Sequence, residues 1–261
     1  MTSAETSRGA VKSADRALAI LELFTSNPRP RSYSDLLRET GLPKSSLHGL
    51  LLTLVHRGWL AEIHPGGLYA LDVQALTVGA SYIRSRGHAS IGPILDDLAA
   101  EVEETVNLAV LDGSDVVYIA VRRSPHALTM RSAVGLRLPA YASAVGKALL
   151  SHLDDDAAAA LLPEHFTVLA RRTRTTTQDV LHDLRVVRAT GYATESEEAT
   201  DGIGCIAVAV PREGFAPLGL SLAYPLARPK QRSEQDLLAV LRHAANRLTA
   251  AFTIDPEIEI E

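Results

Sequence analysis

Cysteine is almost missing from this chain: Cys205 is the one thiol in 261 residues. That excludes an internal disulfide and any multi-cysteine metal site. Long apolar runs are missing too, and none approaches the ~18 residues of a membrane-spanning helix. Met1–Lys12 is polar and lacks the apolar stretch of a secretion signal, so a cytoplasmic protein with no membrane partner is expected. Positive charge is not in excess. The formal net charge is −5, which argues against a general nucleic-acid coat. Hydrophobic residues still make up 46% of the chain, ample for a packed core. The length suits one large domain or two ordinary ones.

Catalytic signatures are missing as well. Gly202-Ile203-Gly204-Cys205-Ile206-Ala207 has the letters of a dinucleotide fingerprint, but that motif needs a strand before it and a helix after it. Here an acidic loop precedes it and a strand-like run follows. Gly146-Lys147 lacks the upstream glycine and the following Ser or Thr of a phosphate loop. Ser143 and Lys147 are one residue too far apart for a Ser-x-x-Lys hydrolase, and there is no Gly-x-Ser-x-Gly or His-Glu-x-x-His. No cofactor, metal or catalytic residue is therefore expected. The competing reading is a small-molecule enzyme using Cys205 and the acidic loop Glu195–Asp201. It assigns Cys205 no base, and buried unreactive cysteine is the more ordinary role.

What is present begins with uneven charge. Residues 1–64 carry eight Lys or Arg against six Asp or Glu, a net of +2; residues 65–261 carry 18 against 25, a net of −7. A mildly basic head on an acidic body fits a small DNA-contacting unit joined to something that avoids DNA. Within the head, Ser34–Leu71 has the pattern of a winged helix-turn-helix. Ser34 reads as the N-cap of a short helix ending at Thr40, and Gly41 as its left-handed stop. Pro43 then opens a second helix reaching about Arg57. Leu47, Leu50, Leu51 and Leu54 share its inner face. Lys44, Ser45, Ser46 and His48 fall on its first turns, the part of a recognition helix that meets base edges and phosphates. With Ser34 they are the DNA-binding candidates. Residues 59–63 and 68–71 flank His64-Pro65-Gly66-Gly67 as a hairpin, the wing. Two ordinary packed helices and a hairpin remain the alternative for this stretch alone.

Upstream, Ser13–Phe24 reads as a helix with Ala14, Ala17, Leu18, Leu21 and Phe24 inward. Asn27-Pro28-Arg29-Pro30-Arg31 breaks it, and its arginines either touch a DNA backbone or stand in solvent. Downstream, a helix from Asp72 to about Arg84 lines up Leu76, Gly79, Ala80 and Ile83. Ile91, Ile94, Leu95, Leu98 and Val102 mark another helix. From Thr105 the period falls to two: Thr105–Leu111 and Val116–Arg122 read as a hairpin and Leu128–Ala133 as a third strand. Helices follow at 142–150, 154–162 and 177–190, then strands at 192–195, 206–210 and 218–223. Ser233 and Asp236 form a capping box for a last helix. Strand groups alternating with helices suggest a mainly antiparallel α/β domain.

These residues together resemble the IclR-type bacterial transcriptional regulators. The likeness rests on Gly41 to His48 with Arg57-Gly58-Trp59-Leu60, on Arg137 to Leu150, and on Gly191-Tyr192-Ala193, Glu197-Glu198, Gly202, Cys205-Ile206-Ala207 and Gly219-Leu220-Ser221-Leu222. It implies an α+β two-domain protein: a winged helix-turn-helix at 13–71, a linker helix at 72–87 and a GAF-like effector-binding domain at 88–253, between tails 1–12 and 254–261. It also implies a double-stranded DNA operator, a homodimer or tetramer, and a small-molecule effector that is often a carboxylate. The effector site it implies comprises Ser143, Ala144, Val145 and Gly146 at a helix start, with Glu195, Cys205 and Ser221. A helix start with free N–H groups favours an anion, so the expected effector is a small organic acid, aromatic acids included. Tyr141 would stack on a ring; Arg131 or Arg137 would pair with the acid. The chain departs from the family at Gly49, often Arg, at Glu195, usually Asp, at Tyr141, commonly His, and in a wing carrying Glu62, His64 and Leu68 in place of basic residues.

Overall fold

A computed structural model describes residues 11–63, 67–85, 91–127, 130, 132–228 and 232–253. Its packing divides the chain into two units, Met1–Arg84 and Ser85–Glu261.

The first unit holds α1 (Lys12–Ser26), β1 (Arg31–Ser32), α2 (Tyr33–Thr40), α3 (Lys44–His56), β2 (Leu60–Ile63), β3 (Leu68–Leu71) and α4 (Val73–Ser85). The helix pair and hairpin stand where the sequence places them. Gly41 does stop α2 in the left-handed region, at φ 64°. The cap of α2 is corrected: Ser32, not Ser34, accepts from the Asp35 N–H, and Asp35 answers by accepting from the Ser32 N–H. The reciprocal pair satisfies two end donors at once, which a lone Ser34 could not. β1 was not expected. It pairs antiparallel with β3, giving a three-stranded sheet in the order β1-β3-β2. The inward stripe of α1 is also shifted. Ile20 and Phe24 are buried with Ala17 and Leu21 against them, while Ala14 and Leu18 are exposed. The stripe keeps its spacing of three and four but starts one turn later. Leu36, Leu47, Leu51, Leu54 and Leu60 complete this core. On α4, Leu76 and Gly79 are exposed and Ala80 is half-buried; the side chain of Ile83 lies outside the described residues, as do residues 1–10, 254–261 and most of the 85–88 joint, while Lys12, expected in the tail, already belongs to α1.

The second unit begins with α5 (Gly92–Val102), then the hairpin β4 (Thr105–Asp112) and β5 (Asp115–Arg122). β6 (Arg137–Pro139), a 3-10 turn (Ala140–Ala142), α6 (Ala144–Leu150), α7 (Asp155–Leu161) and α8 (Thr177–Thr190) follow. β7 (Ala193–Ser196), β8 (Ile203–Arg212), β9 (Phe215–Pro225) and α9 (Glu234–Thr253) end it. The strands form one sheet in the order β6-β5-β4-β9-β8-β7, and every described pairing is antiparallel. The expected strand at Leu128–Ala133 is not found: Met130, Ser132 and Ala133 are in no strand and the rest lie outside the described residues. The edge is β6 instead. β8 and β9 outrun their expected ends because the ladder tolerates Pro211, which has no N–H to give, at a register shift between Val210 and Arg212.

Two cores flank the sheet. Val106, Leu108, Ile206, Leu220 and Leu222 meet α5 and α9 on one side. Ala109, Tyr118, Ala193, Ala207 and Ala223 meet the 3-10 turn, α6, α7 and α8 on the other. Successive residues on a strand alternate sides, so this division fixes the facing of every residue between them. Small residues on the α6 side let that helix come close. A Cβ on Gly219 would stand 2.3 Å from Val145 Cγ2, and one on Gly146 would stand 2.2 Å from the Ala140 carbonyl oxygen.

Candidate functional site

In the first unit the residues singled out for DNA lie on the surface. Lys44 and Ser45 are exposed at the first turn of α3, His48 is exposed one turn on, and Ser46 is half-buried. Ser34 is exposed on the first turn of α2. Their placement follows from the opposite face, where Leu47, Leu51 and Leu54 are buried. Tyr33 also fixes the start of α3: its hydroxyl donates to the Lys44 carbonyl oxygen at 2.8 Å. Gly49 is exposed, and nothing lies within 4 Å of where its Cβ would stand. Arg31 is neither solvated nor available to DNA. It is 5% exposed, donates to Glu39 at 2.9 Å and to the Asn27 carbonyl at 2.8 Å, and covers the Phe24 ring. An arginine beside prolines gives no sign of that role until α1 and α2 are packed together.

In the second unit, register gathers three of the predicted residues on the α6 side of the sheet. Glu195 on β7 is paired with Cys205 on β8, which is paired with Ala223 on β9. In the neighbouring row Ala193, Ala207 and Ser221 align. Ser143, Ala144, Val145 and Gly146 lie over the sheet at the start of α6, all buried. One expected feature is spent. Ser143 Oγ accepts from the Gly146 N–H at 3.1 Å, so this cap serves its own helix.

Glu195 is buried, accepts from the Glu198 N–H at 2.9 Å, and has its carboxyl pKa raised by desolvation. Burial, helped by the Glu195 and Glu198 carboxylates, pushes the Cys205 thiol well above its ordinary range. That is the reverse of what a nucleophilic cysteine requires. The acidic loop is neutralised rather than open to a cation. Glu197 meets Arg171 at 2.8 Å, Asp201 meets the Arg171 N–H at 2.9 Å, and Glu198 meets Lys147 at 2.7 Å. No cluster of metal-ligating side chains occurs among the described residues.

Sequence reasoning missed Lys147. It is 1% exposed, and its ammonium lies 2.8 Å from Asp183 and 2.7 Å from Glu198. Arg174 holds Asp183 from outside at 2.9 Å. The one charge inside the apolar run Ala140–Leu150 was the available signal. A cleft of about 370 Å³ opens beside this network, with Glu195, Thr194, Tyr192 and Tyr224 in its wall. Of the seven predicted effector residues only Glu195 lines it. Tyr141 is not free to stack on a ligand: its hydroxyl donates to the Thr167 carbonyl and accepts the Thr167 N–H, and its ring edge meets Phe166. Arg137 pairs with Asp112 and Asp115 at the hairpin tip, and Arg131 lies outside the described residues.

Comparison with known proteins agrees with both units. Residues 13–63 match the IclR helix-turn-helix domain and residues 84–250 the bacterial transcriptional regulator IclR C-terminal domain. The chain is 33% identical to the transcriptional repressor IclR of Escherichia coli over 253 residues, covering 94% of this chain and 91% of that one. It shares its fold with an IclR transcriptional regulator of Alicyclobacillus acidocaldarius, at TM-score 0.82 and 22% identity over 93% of this chain and 99% of that one. It also resembles an IclR homologue of Microbacterium hydrocarbonoxydans solved with 4-hydroxybenzoate, at TM-score 0.79 and 22% identity over 93% and 99%. The enzyme reading falls with these matches, since the relatives are regulators: the chain belongs to the IclR family of DNA-binding bacterial transcriptional regulators.

Proposed function

We propose that this regulator binds a double-stranded operator through the start of α3, and that a small organic acid held in the second unit sets its operator affinity. The exposed first turn of α3 carries the DNA half of this reading. Lys44 is placed for a phosphate and His48 for a base edge, with Ser34, Ser45 and Ser46 around them. For the effector half, the support is one polar side chain on each of three adjacent strands, Glu195, Cys205 and Ser221, facing α6. Buried polar groups in a regulator's sensing domain are the natural contacts of a polar ligand. The 4-hydroxybenzoate of the Microbacterium protein makes aromatic acids part of the class to test.

A homodimer, or a tetramer of paired dimers, completes the reading. One α3 with Gly49 and a wing without basic residues touches little DNA, and two copies on half-sites one helical turn apart multiply that contact. The candidate dimer seam is the face of α4 that carries Leu76, Gly79, Ala80 and Ile83, on which Leu76 is an exposed apolar side chain.

The test starts from an operator enriched in vitro with the full-length protein. Lys44→Ala should weaken binding to all sequences and reduce the salt slope by about one. His48→Ala should relax sequence preference. Metabolic acids are then screened for a change in operator affinity. Wild-type binding by both variants would mean that the reading helix lies elsewhere, and an operator affinity indifferent to every acid would remove the effector half.

A further inference from the structure

One apolar side chain on α3 has no part in the core beneath it. Leu52 is 59% exposed, whereas Leu47, Leu51 and Leu54 are buried on the other side of the helix. A lone exposed leucine is ordinary on a protein surface; the position of this one gives it meaning. Ser45, Gly49, Leu52 and His56 follow one another at spacings of four, three and four, so they form one stripe along the helix. All four are exposed, and the stripe runs opposite the buried leucines. It is the outermost line of α3, continuous with the exposed first turn that carries Lys44 and Ser45.

What the middle of this stripe can offer a base is limited. Gly49 has no side chain, and nothing lies within 4 Å of where its Cβ would stand. Thr53, one turn on from Gly49, is exposed, but its hydroxyl donates to the Gly49 carbonyl oxygen at 2.9 Å. That hydrogen is therefore not available to a base. Leu52 has neither donor nor acceptor. The middle of α3 thus has an open notch at Gly49, with the Leu52 side chain three residues on to wall it. Among the features that base pairs present in the major groove, the apolar one is the 5-methyl group of thymine.

We propose that α3 reads a thymine through Leu52: the 5-methyl group enters the notch at Gly49 and packs against the Leu52 side chain. This rests on the DNA reading above and adds to it a contact residue and the identity of one base. Gly49 has a part in it. A longer side chain there would hold the helix off the base edges, and glycine lets backbone come close. Glycine weakens a helix interior; here it sets the distance of approach. The position of the thymine follows from helix geometry. Leu52 lies four residues beyond His48, about 6 Å along the axis, which corresponds to roughly two base pairs at ~3.4 Å each. The thymine should stand one or two base pairs from the base that His48 reads.

The experiment uses the full chain and the operator enriched in vitro. Each thymine is replaced in turn by deoxyuridine, which lacks only the 5-methyl group, and affinity is read by fluorescence anisotropy at fixed salt. At one position, one or two base pairs from the base whose preference relaxes in His48→Ala, deoxyuridine should weaken wild-type binding about three- to fivefold, the worth of one buried methyl group. With a G·C pair placed there, 5-methylcytosine should bind more tightly than cytosine by a similar factor. Leu52→Ala should bind the thymine and uracil operators alike, and should melt close to wild type because the side chain is exposed. Leu52→Gln keeps the length without the apolar tip and should lose the discrimination in the same way. An enriched operator with no thymine at that position, or one whose thymines all tolerate deoxyuridine, overturns the inference and leaves the DNA reading standing. Discrimination that persists in either folded variant overturns the role of Leu52. If both variants unfold, Leu52 is structural and the inference is overturned. Wild-type binding by Lys44→Ala and His48→Ala would instead remove the DNA reading, and this inference with it.

Discussion

Lys44 and Lys147 both lie in the first turns of short helices, in Lys44–His56 and Ala144–Leu150. Lys44 is exposed and Lys147 is 1% exposed between Asp183 and Glu198. The pair marks a difference between the units. In the first, the polar residues singled out for function stand on a surface that the core merely positions. In the second, polar residues are built into the core itself, so whatever the site does is tied to what keeps it folded.

Substitution should expose that difference most strongly at the two lysines. Lys147→Ala leaves the buried Glu198 carboxylate facing Asp183, with the half-exposed Arg174 as the remaining cation beside them. Breaking a buried pair of this kind costs on the order of 3–5 kcal/mol. Lys44→Ala removes a solvated side chain and should change stability by no more than about 0.5 kcal/mol. Urea unfolding of the full chain reads both, and Glu198→Gln added to Lys147→Ala should recover part of the loss. Comparable losses at the two positions would erase the contrast.

Two glycines repeat the comparison at smaller scale. A Cβ on Gly146 would meet the Ala140 backbone at 2.2 Å, whereas Gly49 has open space around it. Gly146→Ala should therefore destabilise by about 1–3 kcal/mol, since backbone must move. Gly49→Ala should stabilise by up to about 1 kcal/mol, because an exposed helix interior gains from alanine. Opposite signs in thermal unfolding are expected, and a shared sign would show that α3 has a constraint at Gly49 that its surroundings do not reveal.

The same contrast explains what could be seen in the sequence. In the first unit, the start of α3 depends on Gly41, Pro43 and a leucine spacing, all within fifteen residues, and it was placed within a residue or two. β1 was missed because its partner, β3, is some 37 residues away and two residues of strand have no periodicity. In the second unit the hairpin and helices were legible for the same local reason. The site was only partly so. Glu195, Cys205 and Ser221 entered through family likeness, and their common facing depends on a β7-β8-β9 register that no local pattern encodes. Lys147 was passed over because it looks like an ordinary polar residue until its burial is known.

The smallest expected difference is in pH dependence, and here the units should diverge in sign. In the first, hydrogen bonds from Ser32 and then Arg38 lower the Asp35 carboxyl from 3.8 to about 2. The folded chain thus binds that proton more weakly than the unfolded one. Asp35 stabilises above about 3.8, and its contribution fades as the pH falls toward 2. In the second unit desolvation raises the Glu195 carboxyl above 4.5, against smaller opposing effects of Cys205 and the Glu198 N–H. The folded chain binds that proton more tightly, so Glu195 favours folding most at low pH and this advantage fades as the pH rises above about 4.5. Asp35→Asn should flatten the stability curve only below pH 4. Glu195→Gln, a neutral stand-in for the protonated acid, should flatten it only above pH 4.5 and should gain on wild type as the pH rises. Urea unfolding from pH 2.5 to 8 separates the two windows. A Glu195→Gln curve parallel to wild type above pH 4.5 would mean that Glu195 is solvated after all, and with it would go the claim that the second unit keeps its chemistry inside its core.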